Sequence, residues 1–269
     1  MKNAIKALKR YQSQLHDSDR IKSQHKKGRL TARERIDLLL DKGSFTEVEA
    51  FAELSSDDPQ LQEKKQPGDG VITGYGAVGQ RPVFVYAQDF TVMGGSMGEH
   101  HTRKVARIIK MALKTGAPVI GLLDSGGARI QEGIKGLDGG GEIFYLNTQA
   151  SGVIPQISAI LGPCAGIAVY SPALTDFVFT VNKISNLFIT GPDVIKAVTG
   201  EEVTFEQLGG AMVHAQKSGV AHFVTQSEKE CIAKIKRLLS YLPQNNLDSP
   251  PAVHGADSES RLTPNLEKI

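Results

Sequence analysis

Residues 118–133 read PVIGLLDSGGARIQEG, and residues 155–168 read PQISAILGPCAGIA. Each stretch begins as an apolar run of strand length and ends in glycines. Glycine at a strand end allows backbone N–H groups to approach a ligand closely. Two such turns on neighbouring strand ends predict a site for an anionic oxygen or a polarised carbonyl. Two ordinary tight turns are the alternative, and spacing alone leaves both interpretations open.

Strands and helices alternate on both sides of these stretches. Residues 71–73 and 82–86 predict two short strands joined through a glycine turn, and residues 99–115 predict a helix that ends at Gly116. Further helices are predicted at residues 142–151 and 227–241, and further strands at residues 118–123, 155–161, 176–181 and 187–190. This alternation predicts a layered α/β domain whose functional loops leave the C-terminal ends of the strands.

The N-terminal 27 residues carry eight Lys or Arg, and their apolar residues recur at helical spacing. They predict one basic amphipathic helix that docks on the body or on a partner. Contact with an anionic ligand such as a CoA phosphate is the alternative. Thr31-x-x-Glu34 is a capping box that opens a second helix over residues 30–40. Residues 28–248 are then the main domain, and residues 249–269 have the composition of a linker or tail.

The composition argues against several classes of protein. The chain has 269 residues with 31 basic and 29 acidic side chains, so its net charge of +2 gives no field that recruits nucleic acid. No apolar run approaches the ~18 residues of a membrane span. Cys164 and Cys231 form neither a CxxC pair nor a disulfide framework. We expect a cytoplasmic protein, or a mitochondrial matrix protein in a eukaryote.

Two glycine motifs match enzyme signatures weakly. Residues 74–79, GYGAVG, fit a dinucleotide fingerprint, but a strand follows where a helix is required, which favours a hairpin. Residues 94–98, GGSMG, fit the nucleophile elbow of serine hydrolases. Ser96 lies too far beyond the preceding strand for an elbow, so a hydrolase is a minor alternative. In a hydrolase, the catalytic partners of Ser96 would be Asp124 or Asp176 and His214 or His222.

The histidines give no metal signal. His100 and His101 are adjacent, so they point to different faces of a helix and cannot chelate one metal ion. We expect both to be exposed polar residues at a helix start, and His214 and His222 to be structural histidines. No metal is expected in this chain.

The whole pattern resembles the carboxyltransferase (β) subunits of biotin-dependent acyl-CoA carboxylases, nearest to propionyl-CoA carboxylase β chains. The resemblance runs from about residue 28 to residue 251. Besides the two glycine stretches, it rests on QDFTV at residues 88–92, the glycine pair at 94–95, GPDVIK at 191–196, LGG at 208–210, SGVAH at 218–222 and LLSYLP at 238–243.

The resemblance implies a crotonase-like ββα spiral that forms the acyl-CoA-binding N-terminal domain. In this family, carboxyl passes between carboxybiotin, held on a separate carrier protein, and the α-carbon of a short acyl-CoA. The enolate of the thioester carries negative charge on oxygen, and backbone N–H donors stabilise it. The implied partners are a biotin carboxylase and biotin carrier subunit and a C-terminal carboxyltransferase half, within an oligomer.

The family's site residues map onto the two glycine stretches. Gly166 and Ile167 would be the amide pair for the thioester oxygen. Gly126, Gly127 and Ala128 would line the acyl-CoA site, and Arg129 would support the loop there. The family usually has glycine where Ile167 stands. Because a β-branched residue disfavours positive φ and fills space, either the pocket is reshaped or the oxyanion hole is imperfect.

The family's β chains continue into a second crotonase-like domain, whereas this sequence stops soon after Ser249-Pro-Pro. We therefore expect a piece of a longer chain or a naturally split subunit, which binds acyl-CoA better than it carboxylates it. Two alternatives stay open. One is a subunit of a biotin-dependent acyl-CoA decarboxylase, and the other is a non-catalytic acyl-CoA-binding or assembly subunit.

Overall fold

The described strands form one mixed β-sheet, and helices pack on both of its faces. The structure is a computed structural model that describes residues 2–15, 18–54, 56, 58–252, 255, 257–258 and 260–269. The strands are β1 Thr46–Val48, β2 Val71–Val78, β3 Arg81–Gln88, β4 Val119–Ser125, β5 Gln156–Ala165, β6 Phe177–Val181, β7 Asn186–Phe188 and β8 Phe223–Thr225. Their order is β1-β2-β3-β4-β5-β6-β8, and β7 pairs with β5.

Pairing changes direction at β3. The strands β1, β2 and β3 pair antiparallel, whereas β3, β4, β5, β6 and β8 pair parallel, as strand–helix alternation predicts. All seven residues of β4 are buried because helices cover both faces of the sheet. The C-terminal ends of β4 and β5 therefore lie side by side.

The α-helices are α1 Lys2–Leu15, α2 Ser18–Lys26, α3 Ala32–Leu39, α4 Pro59–Glu63, α5 Glu99–Thr115, α6 Ile134–Ala150, α7 Ile167–Ala173, α8 Pro192–Thr199, α9 Phe205–Gly209, α10 Ala211–Val213 and α11 Glu228–Leu239. One apolar core lies between the sheet and α5, α6 and α7. A second core lies on the opposite face under α3 and α11. No helix in the described part of the chain is long and apolar enough to cross a bilayer.

The GYGAVG stretch lies on the β2–β3 hairpin, as expected, but the turn is shorter than predicted. Gly79 and Gln80 alone take positive φ values of 57° and 67°. Gly74 and Gly76 lie within β2. Neighbouring segments approach the strand closely at these two positions, which accounts for glycine there. A Cβ at Gly74 would lie 2.3 Å from the Thr46 carbonyl oxygen. The strand β3 follows the turn, so this stretch lacks the helix that a dinucleotide site requires.

Local signals located two helices well. The capping box of Thr31 and Glu34 opens α3, and α5 ends where Gly116 takes a left-handed φ of 68°. The predicted N-terminal helix is divided into α1 and α2, and residues 16 and 17 lie outside the described part. The side chain of Gln24 on α2 is buried and donates to the Asp124 carboxylate over 3.1 Å.

Two elements extend beyond their predicted bounds. The helix α6 begins at Ile134 rather than at residue 142, because its glycine-rich start packs on neighbouring segments. The strand β5 continues through Pro163 to Ala165 rather than ending at residue 161, because β7 pairs with its last three residues. The turn between β5 and α7 therefore contains fewer residues than the sequence indicates.

Candidate functional site

Two glycine turns meet at the C-terminal ends of β4 and β5. The first glycine turn, residues 126–129, follows β4, and the second glycine turn, residues 165–168, joins β5 to α7. Gly127 has a φ of 98°, and a Cβ there would lie 2.6 Å from the Ala165 carbonyl oxygen. Only glycine permits this approach. The juxtaposition expected from the sequence is present.

The first glycine turn pairs with Met97 in a parallel bridge. The Met97 N–H donates to the Gly127 carbonyl over 2.8 Å, and the Arg129 N–H donates to the Met97 carbonyl over 2.9 Å. In such a bridge, the central residue directs its own N–H away from the partner. Ala128 is that residue, so its amide is available to a ligand.

The second glycine turn is formed around Gly166, whose φ of 54° and ψ of −126° suit only glycine. The Gly166 N–H donates to the Phe188 carbonyl over 3.1 Å. This bond corrects the sequence-based pair, because Gly166 does not offer a free amide. Ile167 is the first residue of α7, so its N–H has no acceptor within the helix.

Ile167 does not distort the second glycine turn. Gly166 takes the positive φ, while Ile167 has helical backbone. Its side chain is 8% exposed and belongs to the core under α6. A Cβ at Gly140 would lie 2.1 Å from the Ile167 Cδ1 atom. The side chain therefore occupies core volume beside a glycine, and the backbone donor is retained.

Arg129 supports the first glycine turn. Its side chain is fully buried, and its Nη1 atom lies 2.6 Å from Asp69 and 2.8 Å from Glu132. Its Nη2 donates to the Ser96 carbonyl over 2.8 Å, and its Nε donates to the Ser96 hydroxyl over 3.2 Å. The guanidinium therefore holds the turn and does not face a CoA phosphate. This arrangement is consistent with the supporting role that the resemblance implies.

His101 is buried, so its predicted exposure is wrong. Its Nδ1 lies 3.1 Å from the Asp69 carbonyl, an obligate acceptor, and therefore carries the ring proton. Its Nε2 then accepts from the Gln88 amide nitrogen over 3.3 Å. Burial lowers the pKa of His101 well below its ordinary value, so the ring is neutral. Gln88 also accepts from the Asp124 backbone N–H over 3.2 Å.

A buried ionic cluster lies just before the first glycine turn. Asp124, the sixth residue of β4, accepts from Arg29 over 2.8 Å and from Arg35 and Gln24 over 3.1 Å each. Arg35 also donates to Glu228 over 2.6 Å. Burial raises the pKa of Asp124 to about 6, although both arginines oppose this shift. The cluster fastens α2, α3 and α11 to the strand that carries the turn.

An open groove of about 710 Å³ runs from the first glycine turn toward α2 and α4, a size typical of small-molecule sites. Gly126 and Ala128 line one end of it. Arg20 and Lys64 line it near α2 and α4, with Glu63 beside them. The groove is thus lined both by the first glycine turn, which carries the Ala128 amide, and by two cationic side chains. The sequence suggested anion contact for the basic N-terminus but did not identify Lys64.

The hydrolase partners are not assembled. The Ser96 hydroxyl accepts from Arg129. His214 bonds to the Leu187 carbonyl over 2.8 Å, and His222 accepts from the Val178 N–H over 3.0 Å, so both histidines are structural. Within the described residues, no three His, Cys, Asp or Glu side chains are grouped as metal ligands.

The family model of the carboxyl transferase domain matches residues 23–269. The chain belongs to this family. It is 59% identical over 251 residues to a propionyl-CoA carboxylase carboxyltransferase subunit from Haloferax mediterranei, covering 93% of this chain and 49% of that one. It is 53% identical over 250 residues to the methylmalonyl-CoA decarboxylase subunit alpha of Veillonella parvula, with the same shares.

Solved structures of carboxyltransferases share the fold. Transcarboxylase 12S with hydrolysed methylmalonyl-CoA bound is 49% identical and superposes with a TM-score of 0.87 over 89% of this chain and 48% of that one. The β subunit of Pseudomonas aeruginosa geranyl-CoA carboxylase is 26% identical, with a TM-score of 0.75 over 90% and 45%. The fold is crotonase-like, as expected. The chain spans about half the length of the curated relatives it matches.

Proposed function

We propose that this carboxyl transferase domain is the acyl-CoA-binding half of a biotin-dependent enzyme that acts on propionyl-CoA or methylmalonyl-CoA. One observation carries the proposal. The amides of Ala128 and Ile167 lie on two backbone turns that touch through Gly127 and Ala165, and the turn of Ala128 lines a groove that is also lined by cationic side chains. The high identity to enzymes named for these acyl-CoA substrates supports the choice of substrate.

The two amides act on the thioester oxygen. Loss of a proton from the α-carbon moves negative charge onto that oxygen. The α-carbon would then form a carbon–carbon bond to the carboxyl group, while the bond from that group to the biotin nitrogen breaks and the nitrogen takes up the proton. Donors fixed by the backbone stabilise the charged enolate more than the neutral thioester, which lowers the barrier by several kcal/mol. The buried Arg129 and Asp69 hold the Ala128 segment in place, so the donor does not reorganise during the reaction.

Biotin on a separate carrier supplies or accepts the carboxyl group. The remaining partners in this proposal are a biotin carboxylase and carrier subunit and a C-terminal carboxyltransferase half, within an oligomer. The hexamer assembly named for transcarboxylase 12S supports an oligomer. We propose a cytoplasmic location, where the buried thiols of Cys164 and Cys231 stay reduced.

Decarboxylation is the second candidate reaction. The 53% identity to a methylmalonyl-CoA decarboxylase subunit favours it, and both reactions pass through the same enolate. A non-catalytic role has less support, because Ile167 keeps a helical backbone and its N–H.

The test is carboxyl exchange in a reconstituted enzyme. The chain is combined with a biotinylated carrier and the C-terminal half of the Haloferax mediterranei relative, and transfer of labelled carboxyl from methylmalonyl-CoA to biotin is measured. We expect transfer that depends on this chain. Absence of exchange with this half, and with other C-terminal halves, would overturn the proposal. Exchange that appears only in Ile167→Gly would favour the non-catalytic role.

A further inference from the structure

The helix α6 begins with an unusual density of glycine. Four of its first eight residues are glycine, at positions 136, 139, 140 and 141. Each glycine in a helix interior costs about 1 kcal/mol relative to alanine, so a packing reason is expected. Gly136 and Gly140 are buried, whereas Gly141 is exposed. Because Gly136 and Gly140 are four residues apart, they lie on one face of the helix.

This face contacts both glycine turns. A Cβ at Gly136 would lie 3.0 Å from the Arg129 carbonyl oxygen, at the end of the first glycine turn. A Cβ at Gly140 would lie 2.1 Å from the Cδ1 atom of Ile167, in the second glycine turn. One helix face therefore rests on the backbone of one turn and on a buried side chain of the other.

We infer that α6 is a spacer that sets the separation of the Ala128 and Ile167 amides, and that Ile167 and Gly140 are a matched pair within it. This inference rests on the proposed function. The Ile167 side chain extends into the volume that a side chain at residue 140 would need. A larger residue at 140 displaces Ile167, and the amide on the same Cα moves with it, because a packed core has no spare volume.

A displaced Ile167 amide binds the thioester oxygen less tightly, because the strength of a hydrogen bond depends steeply on its geometry. Free CoA lacks the thioester carbonyl, so it does not use these amides, whereas propionyl-CoA does. The ratio of the dissociation constant of CoA to that of propionyl-CoA therefore reports the amide pair. Ile167 is thus a positioning residue whose side chain acts through its own backbone, and Gly140 acts through Ile167.

The experiment compares alanine at three glycines of α6 by calorimetric titration with propionyl-CoA and CoA. Gly140→Ala is expected to lower the thioester preference by about 3- to 10-fold, the loss of one hydrogen bond, and Gly136→Ala to lower it less. Gly141→Ala is the matched control, since a Cβ there meets nothing within 4 Å. Adding Ile167→Val to Gly140→Ala removes Cδ1, leaves Cγ1 at 2.8 Å from the new Cβ and keeps the N–H, so it is expected to restore part of the preference.

An unchanged thioester preference in Gly140→Ala, or a loss that Ile167→Val does not reduce, overturns the inference alone. A wild type that binds both ligands equally contradicts the proposed function. The melting temperatures of the same variants then test whether α6 acts as a spacer. Gly140→Ala should melt about 2–4 °C lower or more, and Gly141→Ala should not. If Ile167→Val does not raise the melting temperature of Gly140→Ala, the matched pair is overturned.

Discussion

Gly127 is the residue at which the two turns touch. Its φ of 98° strains any side chain, and a Cβ would lie 2.6 Å from the Ala165 carbonyl oxygen. Gly127→Ala is therefore expected to lower the melting temperature by several degrees and to abolish thioester preference. Gly126→Ala is the neighbouring comparison, because its Cβ would meet only the Gly94 carbonyl at 3.6 Å and should cost less stability. Equal melting temperatures would contradict the contact between the turns.

Lys104 is a buried cation that donates to the carbonyls of Gly68 over 2.9 Å and Val71 over 2.5 Å. Burial lowers its pKa from 10.5 to about 8, although Glu47 and Asp69 oppose this shift. Between these two pH values the unfolded chain binds more protons than the folded chain, so stability rises with pH there.

The difference in unfolding free energy between wild type and Lys104→Met should rise by about 2–3 kcal/mol across that window. Urea unfolding at several pH values measures it. Lys110→Met, at an exposed position on the same helix, is the matched control. A flat curve for Lys104→Met would show that the ammonium is not desolvated.

Single residues differed in how well the sequence predicted them. Glycine turns have a local signature, so the sequence located the two turns, whereas the supporting role of Arg129 was implied only by the family resemblance. The bond from Gly166 to Phe188 has no local signature, because it depends on the pairing of β7 with β5. Burial of His101 likewise arises from contact with Asp69 and Gln88, which are distant in sequence.

Among the elements, the ionic cluster ties the N-terminal helices to β4. Arg35 is fully buried between Asp124 and Glu228. Arg35→Met should cost about 3–5 kcal/mol of unfolding free energy, because it leaves two buried carboxylates without their shared partner. Arg103→Met removes an exposed ion pair with Glu99 and should cost about 0–1 kcal/mol. A loss below 1 kcal/mol for Arg35→Met, measured by urea unfolding, would contradict the structural role of the cluster.

Elements bounded by caps were predicted well, and elements bounded by tertiary pairing were not. The left-handed Gly116 marks the end of α5 from local chemistry alone. The start of α6 and the end of β5 contain glycine or proline, which locally indicate a turn. They are helix and strand because α5, α7 and β7 pack or pair against them.

At the scale of the whole molecule, the chain places two touching glycine turns and an open groove on one α/β domain. The family resemblance predicted this architecture, and the TM-score of 0.87 to transcarboxylase 12S confirms the fold. Spacing alone did not choose between a donor site and two ordinary turns. That choice depends on the approach of Gly127 to Ala165, which appears only when β4 and β5 lie side by side.

The most direct measurement is calorimetric titration of the purified chain with propionyl-CoA, acetyl-CoA and free CoA. We expect saturable binding of the acyl thioesters that is tighter than binding of CoA by about 10- to 100-fold, the contribution of two hydrogen bonds. Equal affinity for all three ligands, or no binding at millimolar concentration, would contradict the claim that this half of the enzyme holds the thioester oxygen on its own backbone amides.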